Sequence, residues 1–422
     1  MLIHSASQLL TMAGGPQRGS ALGQLEIIED GAVLVEGQTV AAVGLKEELR
    51  ATYPGESEID ASGCVVMPGF VDPHTHLIWA GDRAAEFELR LQGKTYLEIL
   101  AAGGGILSTV KATRAATVDG LIDQTLPHLK TLLAHGTTTA EAKTGYGLEL
   151  STELRMLEAL LQLSNHNPID LAFTFLGAHA IPPEFQGNSD GYTQHLCKVM
   201  IPAVKQWWHA HAPSYQLPFV DVFCETGAFS LEQSRQIFKI ARDLGFPLKI
   251  HADEFDNLGG ARLAAEYGAV SADHLVTTSV EDIRFLAQSK TVAVSLPCTP
   301  FGLAEKQYTP AKQILEEDGL LALASDLNPG TAWCGNMQFV ISLACRYLKL
   351  TPAQAIAAAT INAAAAIQRD DRVGSLEVGK QADILILEIP DYRHLGYRFG
   401  TNLVKKVIKK GQLFSPAEIL AT

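Results

Sequence analysis

The sequence lacks any uninterrupted apolar run of the ~18 or more residues that a membrane-spanning helix needs. Its first residues carry no basic segment followed by an apolar stretch, so no secretory signal is predicted. The six cysteines are scattered and include no C-x-x-C pair, which favours free thiols in a reducing compartment over a disulfide framework. Together these absences predict a soluble, cytoplasmic protein with no membrane partner.

The sequence also has fewer basic than acidic residues. The 33 Lys and Arg residues face 46 Asp and Glu residues, and the formal net charge is -13. Because binding to nucleic acid depends largely on cations that displace counterions from phosphates, a nucleic-acid partner is disfavoured. This acidity does not exclude an anionic small-molecule substrate, since one local arginine can outweigh the global field.

The sequence pattern at the two ends of the chain differs from that of the middle. Residues 1–66 and 375–422 contain short strand-like runs punctuated by glycines. Residues 67–374 alternate eight short apolar runs with amphipathic helical stretches, a pattern typical of parallel strands buried on both faces. We therefore predict an α/β fold, a (β/α)8 TIM-type barrel over residues 67–374 with a small β-sandwich domain formed from both termini.

The eight runs cover residues 69–76, 137–143, 171–179, 219–225, 247–251, 269–274, 291–297 and 320–326. The stretches between them carry helix-end signals: Ser151 and Ser230 are predicted N-caps, and Gly245 a C-terminal cap. No G-x-G-x-x-G follows a strand, which argues against the rival fold, an open doubly wound sheet.

Metal-capable residues stand at the ends of four of these runs. They are His74 and His76 on the first run, His251 on the fifth, His274 on the sixth and Asp326 on the eighth. Residues i and i+2 of an extended chain face the same way, so His74 and His76 can reach one ion. Taken singly, each has an ordinary alternative, such as two loop histidines or, for Asp326, a helix N-cap. Their recurrence at one barrel rim favours a shared site.

We predict one metal ion in each subunit. Three neutral imidazoles and one carboxylate suit zinc or iron better than calcium or magnesium, and the spacing does not distinguish zinc from iron. Such an ion polarises a carbonyl and lowers the pKa of a bound water from ~15.7 toward roughly 7. Glu254 lies three residues after His251, so one residue can bind the metal while the other handles a proton.

This constellation resembles the amidohydrolase superfamily, and the likeness covers nearly the whole chain. It includes the split β domain, residues 68–76 and the closing segment 374–387. Within the superfamily, five stretches are specifically similar to the imidazolonepropionase family: residues 76–83, 141–148, 175–180, 251–255 and 325–331. The resemblance implies hydrolysis of 4-imidazolone-5-propanoate to N-formimidoyl-L-glutamate in histidine degradation.

The resemblance also implies a set of site residues. It places the metal on His74, His76, His251 and Asp326. It places contacts with the substrate or product at Arg83, Tyr146, His179, Glu254, Asn328, Gly330 and Thr331, with Tyr96 as a weaker candidate.

The chemistry of these residues suits a cyclic amide that carries a propanoate. Glu254 can take the water proton as general base, and His274 together with the metal can hold the developing oxyanion. Asp326 or Glu254 can return a proton to the leaving ring nitrogen. Arg83 offers a planar fork for the carboxylate, and Tyr146 adds a neutral donor.

Structural alternatives stay open for the substrate-side residues. Arg83 could instead form a surface ion pair with Asp82 or Glu86, and Tyr146 could be a packed loop aromatic. His179 could be a ligand in a two-metal site. One metal is preferred, because the lysine that bridges two metals would come from the fourth strand, which here ends in Cys224-Glu225. Lys143 could form an ion pair at the barrel mouth.

Two other functions compete with this interpretation. A deaminase of a heterocyclic ring could use the same scaffold and a similar metal set, and a non-catalytic relative could use the barrel as a binding module. The glycines at 103–105 predict a mobile loop over the mouth rather than a phosphate-binding loop, since no Lys-Ser/Thr follows. The expected partner is a small-molecule substrate, and the expected assembly is a homodimer.

Overall fold

The computed structural model describes residues 1–94, 98 and 104–421. Within these residues, no helix combines the length and the apolar character needed to cross a bilayer. Tyr96 and Gly103, both named above, lie outside the described residues.

The first strands of the chain belong to two sheets outside the barrel. They are β1 (Leu2–Ala6), β2 (Gln8–Leu10), β3 (Ile27–Ile28), β4 (Gly31–Glu36), β5 (Thr39–Leu45), β6 (Glu58–Asp60) and β7 (Val65–Pro68). Strand β4 pairs antiparallel with β1 and β5, and β6 pairs in parallel with β1. These four strands form one sheet in the order β5-β4-β1-β6.

Eight parallel strands form the wall of the barrel. They are β8 (Phe70–Asp72), β9 (Thr137–Lys143), β10 (Asp170–Ala178), β11 (Phe219–Cys224), β12 (Leu248–Ala252), β13 (Ser271–His274), β14 (Val292–Ser295) and β15 (Leu321–Leu323). Each pairs with the next in sequence. Past the ends of β8 and β15, the amide of Asp326 donates to the carbonyl of His74 at 3.1 Å, and that of His76 to Leu327 at 2.9 Å. These bonds join the last strand to the first, and the predicted barrel is confirmed.

Helices cover the outside of the wall, so the strands are buried on both faces. Those within and after the barrel are Ala84–Leu91, Ile106–Ala115, Val118–Ala134, Leu150–His166, Ser189–His195, Ile201–His211, Leu231–Asp243, Gly260–Tyr267, Val280–Ala287, Cys298–Gly302, Ala311–Glu316, Met337–Leu343, Pro352–Ala358 and Ile361–Ala365. Single turns of 3-10 helix span Gly19–Ala21 and Pro183–Phe185, and π-helical turns span Leu196–Met200 and Ala344–Leu348. Short helices also span Lys46–Thr52, His394–Tyr397 and Pro416–Ala421.

The last strands of the chain return to the first part of it. They are β16 (Ile384–Leu387), β17 (Val404–Lys409) and β18 (Gln412–Phe414). Strand β7 pairs with β16 on one side and with β2 on the other, which gives a six-stranded sheet in the order β18-β17-β16-β7-β2-β3. Apolar residues of this sheet and of the four-stranded sheet share one core, as expected for a sandwich built from both termini. The exact domain boundaries stay a prediction.

A partly buried ion-pair cluster joins the terminal sheet to the barrel. Asp170 is the first residue of β10, and the ammonium of Lys409 in β17 lies 2.8 Å from its carboxylate. Lys409 also lies 2.7 Å from Asp383, and Lys410 contacts Asp170 at 2.5 Å. These contacts lie at the amino-terminal end of β10, opposite the rim where the predicted site residues stand.

The helix-end predictions gave mixed results. Ser230 caps its helix, and its hydroxyl forms a reciprocal capping box with Gln233. Gly245 follows the C-terminal residue Leu244 with φ 84, a conformation that favours glycine. The prediction for Ser151 was wrong: the N-cap is Glu149, which has extended dihedrals, and the helix begins at Leu150. Ser151 instead donates its hydroxyl to the side chain of Glu149 at 3.1 Å.

Candidate metal centre and active site

Five predicted residues converge at the carboxyl ends of the barrel strands. His74 and His76 follow β8, His251 lies in β12, His274 ends β13 and Asp326 follows β15. None is more than 3% exposed. Because all parallel strands point the same way, residues far apart in sequence meet at this rim.

Ring nitrogens and a carboxylate oxygen of these residues face one another at short range. Nε2 of His76 lies 3.2 Å from Nε2 of His251, and Oδ1 of Asp326 lies 3.4 Å from Nε2 of both His74 and His76. Nε2 of His74 and Oδ1 of Asp326 are buried without a hydrogen-bond partner. Ligand atoms of His74, His76 and Asp326 all lie within 4.8 Å of one another, as do those of His74, His251 and His274. Such orphaned buried acceptors fit a divalent cation.

Asp326 is held as a carboxylate. Burial alone would favour its neutral form, but the adjacent imidazoles of His74 and His76 hold the pKa of Asp326 well below its usual range. The hydroxyl of Thr299 donates to Oδ2 of Asp326, which leaves Oδ1 facing the histidines. The carboxylate is therefore ionised and oriented toward the cluster.

A third group of potential ligands, His74, Glu141 and Asp273, does not suit a cation. Nδ1 of His74 lies 2.6 Å from Oδ2 of Asp273, which is a hydrogen bond. The ammonium groups of Lys143 and Lys249 each lie 3.8 Å from the same oxygen. Positive charge already occupies this pocket, so the geometry favours a single cation on the other side of His74.

Several residues at the rim have a left-handed backbone, which is uncommon outside glycine, and three of them are polar. They are Asp253 with φ 54, His274 with φ 79 and Asp326 with φ 55. Strain of this kind persists where surrounding contacts fix it, and functional sites concentrate it. Asp253 shows such contacts, since its carboxylate accepts the Thr278 hydroxyl at 2.8 Å and the Gly260 amide at 3.3 Å. It fixes the loop that carries Glu254.

Glu254 and His274 lie side by side above the cluster. Oε1 of Glu254 is 3.7 Å from Nδ1 of His274. Burial, together with the nearby carboxylates of Asp326 and Glu225, raises the pKa of Glu254 well above its usual value. Burial also holds the pKa of His274 well below its usual value, so its imidazole is neutral. This pair can accept a proton and donate a hydrogen bond.

Tyr146 and His179 form an aromatic wall beside the histidines. The His179 ring stacks on His76 with centroids 4.8 Å apart, and the Tyr146 ring lies 5.3 Å from His179. Nδ1 of His179 lies 3.0 Å from the carbonyl of Gly145 and donates to it, which leaves Nε2 as an acceptor. Burial raises the pKa of Tyr146, so its phenol is a neutral donor.

Arg83 forms the ion pair that was the structural alternative, and it also lies beside the loop of the proposed substrate contacts. Its Nε donates to Glu86 at 2.8 Å, which is the ion pair considered as the alternative. Its guanidinium also packs closely on Gly330. A Cβ built at that glycine would lie only 2.3 Å from Nη1 of Arg83. Glu86 accepts further hydrogen bonds from the Gly105 amide at 2.9 Å and the Ser108 hydroxyl at 3.0 Å.

Asn328 shapes the loop that carries Gly330 and Thr331. Its Oδ1 accepts the amides of both residues at 2.8 Å, and its Nδ2 donates to the Asp326 carbonyl at 2.7 Å. Both ends of the amide are therefore used within the loop, which links the shape of this loop to the position of Asp326.

Sequence reasoning missed a buried cluster of charges beneath the rim. Its members are Glu141, Lys143, Asp221, Lys249 and Asp273, and all are fully buried. Lys143 had been considered only as part of an ion pair at the barrel mouth. A signal was present, since each charge lies in a short strand that is rich in apolar or small residues.

Two family models match the sequence. The model of the amidohydrolase family matches residues 65–414, which is most of the chain. A second model, described as an imidazolonepropionase-like composite domain of bacteria, matches residues 31–55.

Curated relatives named imidazolonepropionase align along nearly the full chain. The protein of Herpetosiphon aurantiacus is 52% identical over 412 residues, which cover 98% of this chain and 96% of the relative. The protein of Chloroflexus aggregans is 48% identical over 417 residues, which cover 98% of each. The agreement therefore includes both the barrel and the terminal sheets.

Solved structures with the same fold are more distant in sequence. An adenosine deaminase from Xanthomonas campestris with bound zinc has a TM-score of 0.71 and 18% identity, and covers 99% of this chain and 93% of that one. Guanine deaminase of E. coli has a TM-score of 0.73 and 15% identity, and covers 98% of both chains. At these identities the similarity shows the fold alone.

Proposed function

The chain belongs to the imidazolonepropionase family of amidohydrolases, and from this membership we propose how its barrel rim carries out the reaction. The protein is a hydrolase that opens the cyclic amide of 4-imidazolone-5-propanoate to give N-formimidoyl-L-glutamate, a step of histidine degradation. The observation that carries this conclusion is the 52% identity over 412 residues to a relative of that name.

His74, His76, His251 and Asp326 are proposed to bind one divalent ion, zinc or iron. The orphaned nitrogen of His74 and the orphaned oxygen of Asp326 support this ligand set. When bound, the ion would polarise the ring carbonyl and lower the pKa of a water molecule beside it. A single ion is proposed because Lys143 and Lys249 fill the neighbouring acidic pocket.

Glu254 and His274 are proposed to handle the protons and the charge of the reaction. Burial makes Glu254 a stronger base than an exposed carboxylate, so it accepts the proton of the attacking water. Neutral His274 donates a hydrogen bond to the ring oxygen as negative charge develops on it. Glu254, or alternatively Asp326, then delivers a proton to the leaving ring nitrogen.

Arg83 is proposed to bind the propanoate tail of the substrate. Glu86 engages Nε of Arg83, so the two terminal amino groups stay available for a carboxylate. Tyr146 and His179 line the same side as neutral groups, and the loop with Asn328, Gly330 and Thr331 closes the pocket around Arg83. Tyr96 stays a proposed contact that lies outside the described residues.

Three further expectations stay predictions. They are a cytoplasmic location, a homodimeric assembly and the absence of nucleic-acid or membrane partners. Light scattering of the purified protein would test the assembly, with a mass of twice 45.4 kDa expected.

The test of the proposed function is an absorbance assay of imidazolone ring loss by the purified enzyme. Activity should disappear after treatment with a chelator and return after addition of zinc or ferrous iron, and the two metals can be compared directly. An ammonia assay run in parallel separates ring opening from deamination, the reaction named for two of the structural neighbours. Ammonia release matching substrate loss, or full activity in the chelated protein, would contradict the proposal.

A further inference from the structure

We infer that Asp221 and Asp273 are positioning residues, which fix two of the proposed metal-ligand imidazoles from behind, and that Lys143 joins them into one unit. The inference rests on the proposed function, because it assumes that the other side of each imidazole binds the metal. It assigns a role to the buried charge cluster, which has no contact with the substrate side of the rim.

Asp273 determines which nitrogen of His74 carries the proton. Its Oδ2 lies 2.6 Å from Nδ1 of His74, and both side chains are completely buried. A carboxylate can only accept, so Nδ1 must donate. In a neutral imidazole, Nε2 then carries the lone pair, and Nε2 is the atom that lies 3.4 Å from Oδ1 of Asp326.

Asp221 does the same for His251. Its two oxygens lie 3.2 and 3.1 Å from Nδ1 of His251, and Nε2 of that ring faces Nε2 of His76. The lone pair of His251 is therefore directed into the cluster as well. Both carboxylates are shielded from bulk solvent, since Asp221 and Asp273 are both 0% exposed.

Lys143 holds the two carboxylates in place. Its ammonium lies 2.8 Å from Oδ2 of Asp221 and 3.8 Å from Oδ2 of Asp273, and it also contacts Glu141 at 2.8 Å. Burying so many charges costs free energy that apolar packing would avoid, so the cluster is poorly explained as a device for stability. Orientation of the histidines accounts for it.

The two aspartates differ in a way that can be tested. Both oxygens of Asp221 face donors, Nδ1 of His251 on one side and the ammonium of Lys143 on the other. Asparagine at this position must turn its NH2 group toward one of those donors. Asp273 directs one oxygen at His74, and its Oδ1 is buried without a hydrogen-bond partner. Asparagine can therefore keep the hydrogen bond to His74 and lose only the charge.

The experiment compares zinc dissociation constants, measured by competition with a chromogenic chelator, for wild type, Asp221→Asn, Asp273→Asn and Asp383→Asn. Asp383 is the matched control, because it is a buried carboxylate paired with Lys409 at 2.7 Å in the terminal sheet. We expect Asp221→Asn to weaken zinc binding roughly 10- to 100-fold, Asp273→Asn to weaken it less, and Asp383→Asn to leave it unchanged. The visible spectrum of the cobalt-loaded protein should change in the same order.

Equal zinc affinity in wild type and Asp221→Asn would overturn the inference, and so would an equal loss in Asp383→Asn, which would indicate general destabilisation. If Asp221→Asn does not fold, Asp273→Ala decides instead, because it removes the hydrogen bond to Nδ1 of His74: unchanged zinc affinity and an unchanged cobalt spectrum in that variant would then overturn the inference. A wild-type protein that binds no zinc or iron would instead contradict the proposed function.

Discussion

The two carboxylate oxygens of Asp326 have different neighbours. Oδ2 accepts the hydroxyl of Thr299, while Oδ1 faces His74 and His76. The hydroxyl thereby prevents the carboxylate from rotating away from the histidines. A single methyl-for-hydroxyl exchange at Thr299 tests whether this restraint matters.

We predict that Thr299→Val lowers zinc affinity and kcat by roughly tenfold each, because the carboxylate loses its fixed orientation. Thr299→Ser is the control, since it keeps the hydroxyl and should behave like wild type. Competition with a chelator gives the affinity, and the ring-opening assay gives kcat. Equal behaviour of the valine and serine variants would contradict a role for the hydroxyl.

Gly330 is the second residue at which one small change has a clear expectation. A Cβ there would lie 2.3 Å from Nη1 and 3.0 Å from Cζ of Arg83, so the guanidinium must move. We predict that Gly330→Ala raises KM about tenfold, equivalent to about 1.4 kcal/mol of binding, with a small effect on kcat. Gly400→Ala is the control, because nothing lies within 4 Å of its added Cβ. An unchanged KM in Gly330→Ala would argue that Arg83 does not bind the substrate tail.

Among single residues, the sequence predicts that the proposed metal ligands converge, but it does not predict the contacts beneath them. His74, His76, His251 and Asp326 were predicted to converge because each ends an apolar run, and parallel strands bring such ends together. Contacts beneath the rim depend on which way each side chain points inside the barrel. Asp221 and Lys249 lie opposite each other on neighbouring strands, but they do not form an ion pair. Lys249 contacts Glu141 instead, and Asp221 contacts Lys143.

Among the elements, the loop after β12 is held in part by one distant side chain. Glu225 follows β11, and its carboxylate accepts the amides of Phe255 at 3.0 Å and Asp256 at 3.1 Å. It also accepts the amide of Thr226 at 2.8 Å. This carboxylate therefore fixes the backbone immediately after Glu254.

We predict that Glu225→Gln lowers kcat roughly tenfold with little change in KM, because its NH2 group would face a backbone amide and displace Glu254. Steady-state kinetics of ring opening provide the measurement, and zinc affinity should stay near that of wild type. A parallel fall in zinc affinity would mean that the substitution disturbs the whole rim, and the expected role for Glu225 would then be wrong.

Strand positions were predictable from apolar runs, while the carboxyl ends of the first and eighth barrel strands were not. The first run was predicted to extend to residue 76 and the eighth to residue 326, but β8 ends at Asp72 and β15 at Leu323. Pro73 has no amide hydrogen to donate to a neighbouring strand, and Asp326 has a left-handed backbone. The residues that serve the site leave the regular ladder, and a pattern of hydrophobicity does not report that departure.

For the whole molecule, the junction between barrel and terminal sheet depends on Asp170. Burial would raise the pKa of this carboxyl, but Lys409 and Lys410 lower it to about 2. The unfolded value is about 3.9, so the folded state favours the ionised form by about 2 kcal/mol at neutral pH. This stabilisation is complete above about pH 4 and disappears as the pH falls through 2.

We predict that Asp170→Asn lowers the free energy of unfolding by about 2 kcal/mol at pH 7, and that the difference from wild type shrinks as the pH falls below 4. Denaturant unfolding at a series of pH values provides the measurement. A difference that stays constant between pH 7 and pH 3 would show that the effect comes from packing and not from the charge.

Strand β7 lies between neighbours from opposite ends of the polypeptide, β2 on one side and β16 on the other. During synthesis on a ribosome, one edge of β7 therefore stays unpaired until the entire barrel has been translated. An exposed apolar edge of this kind can recruit foreign strands or chaperones. A chain truncated before β16 would carry all the rim residues and still expose the unpaired edge of β7, so we expect it to aggregate more readily than the full chain.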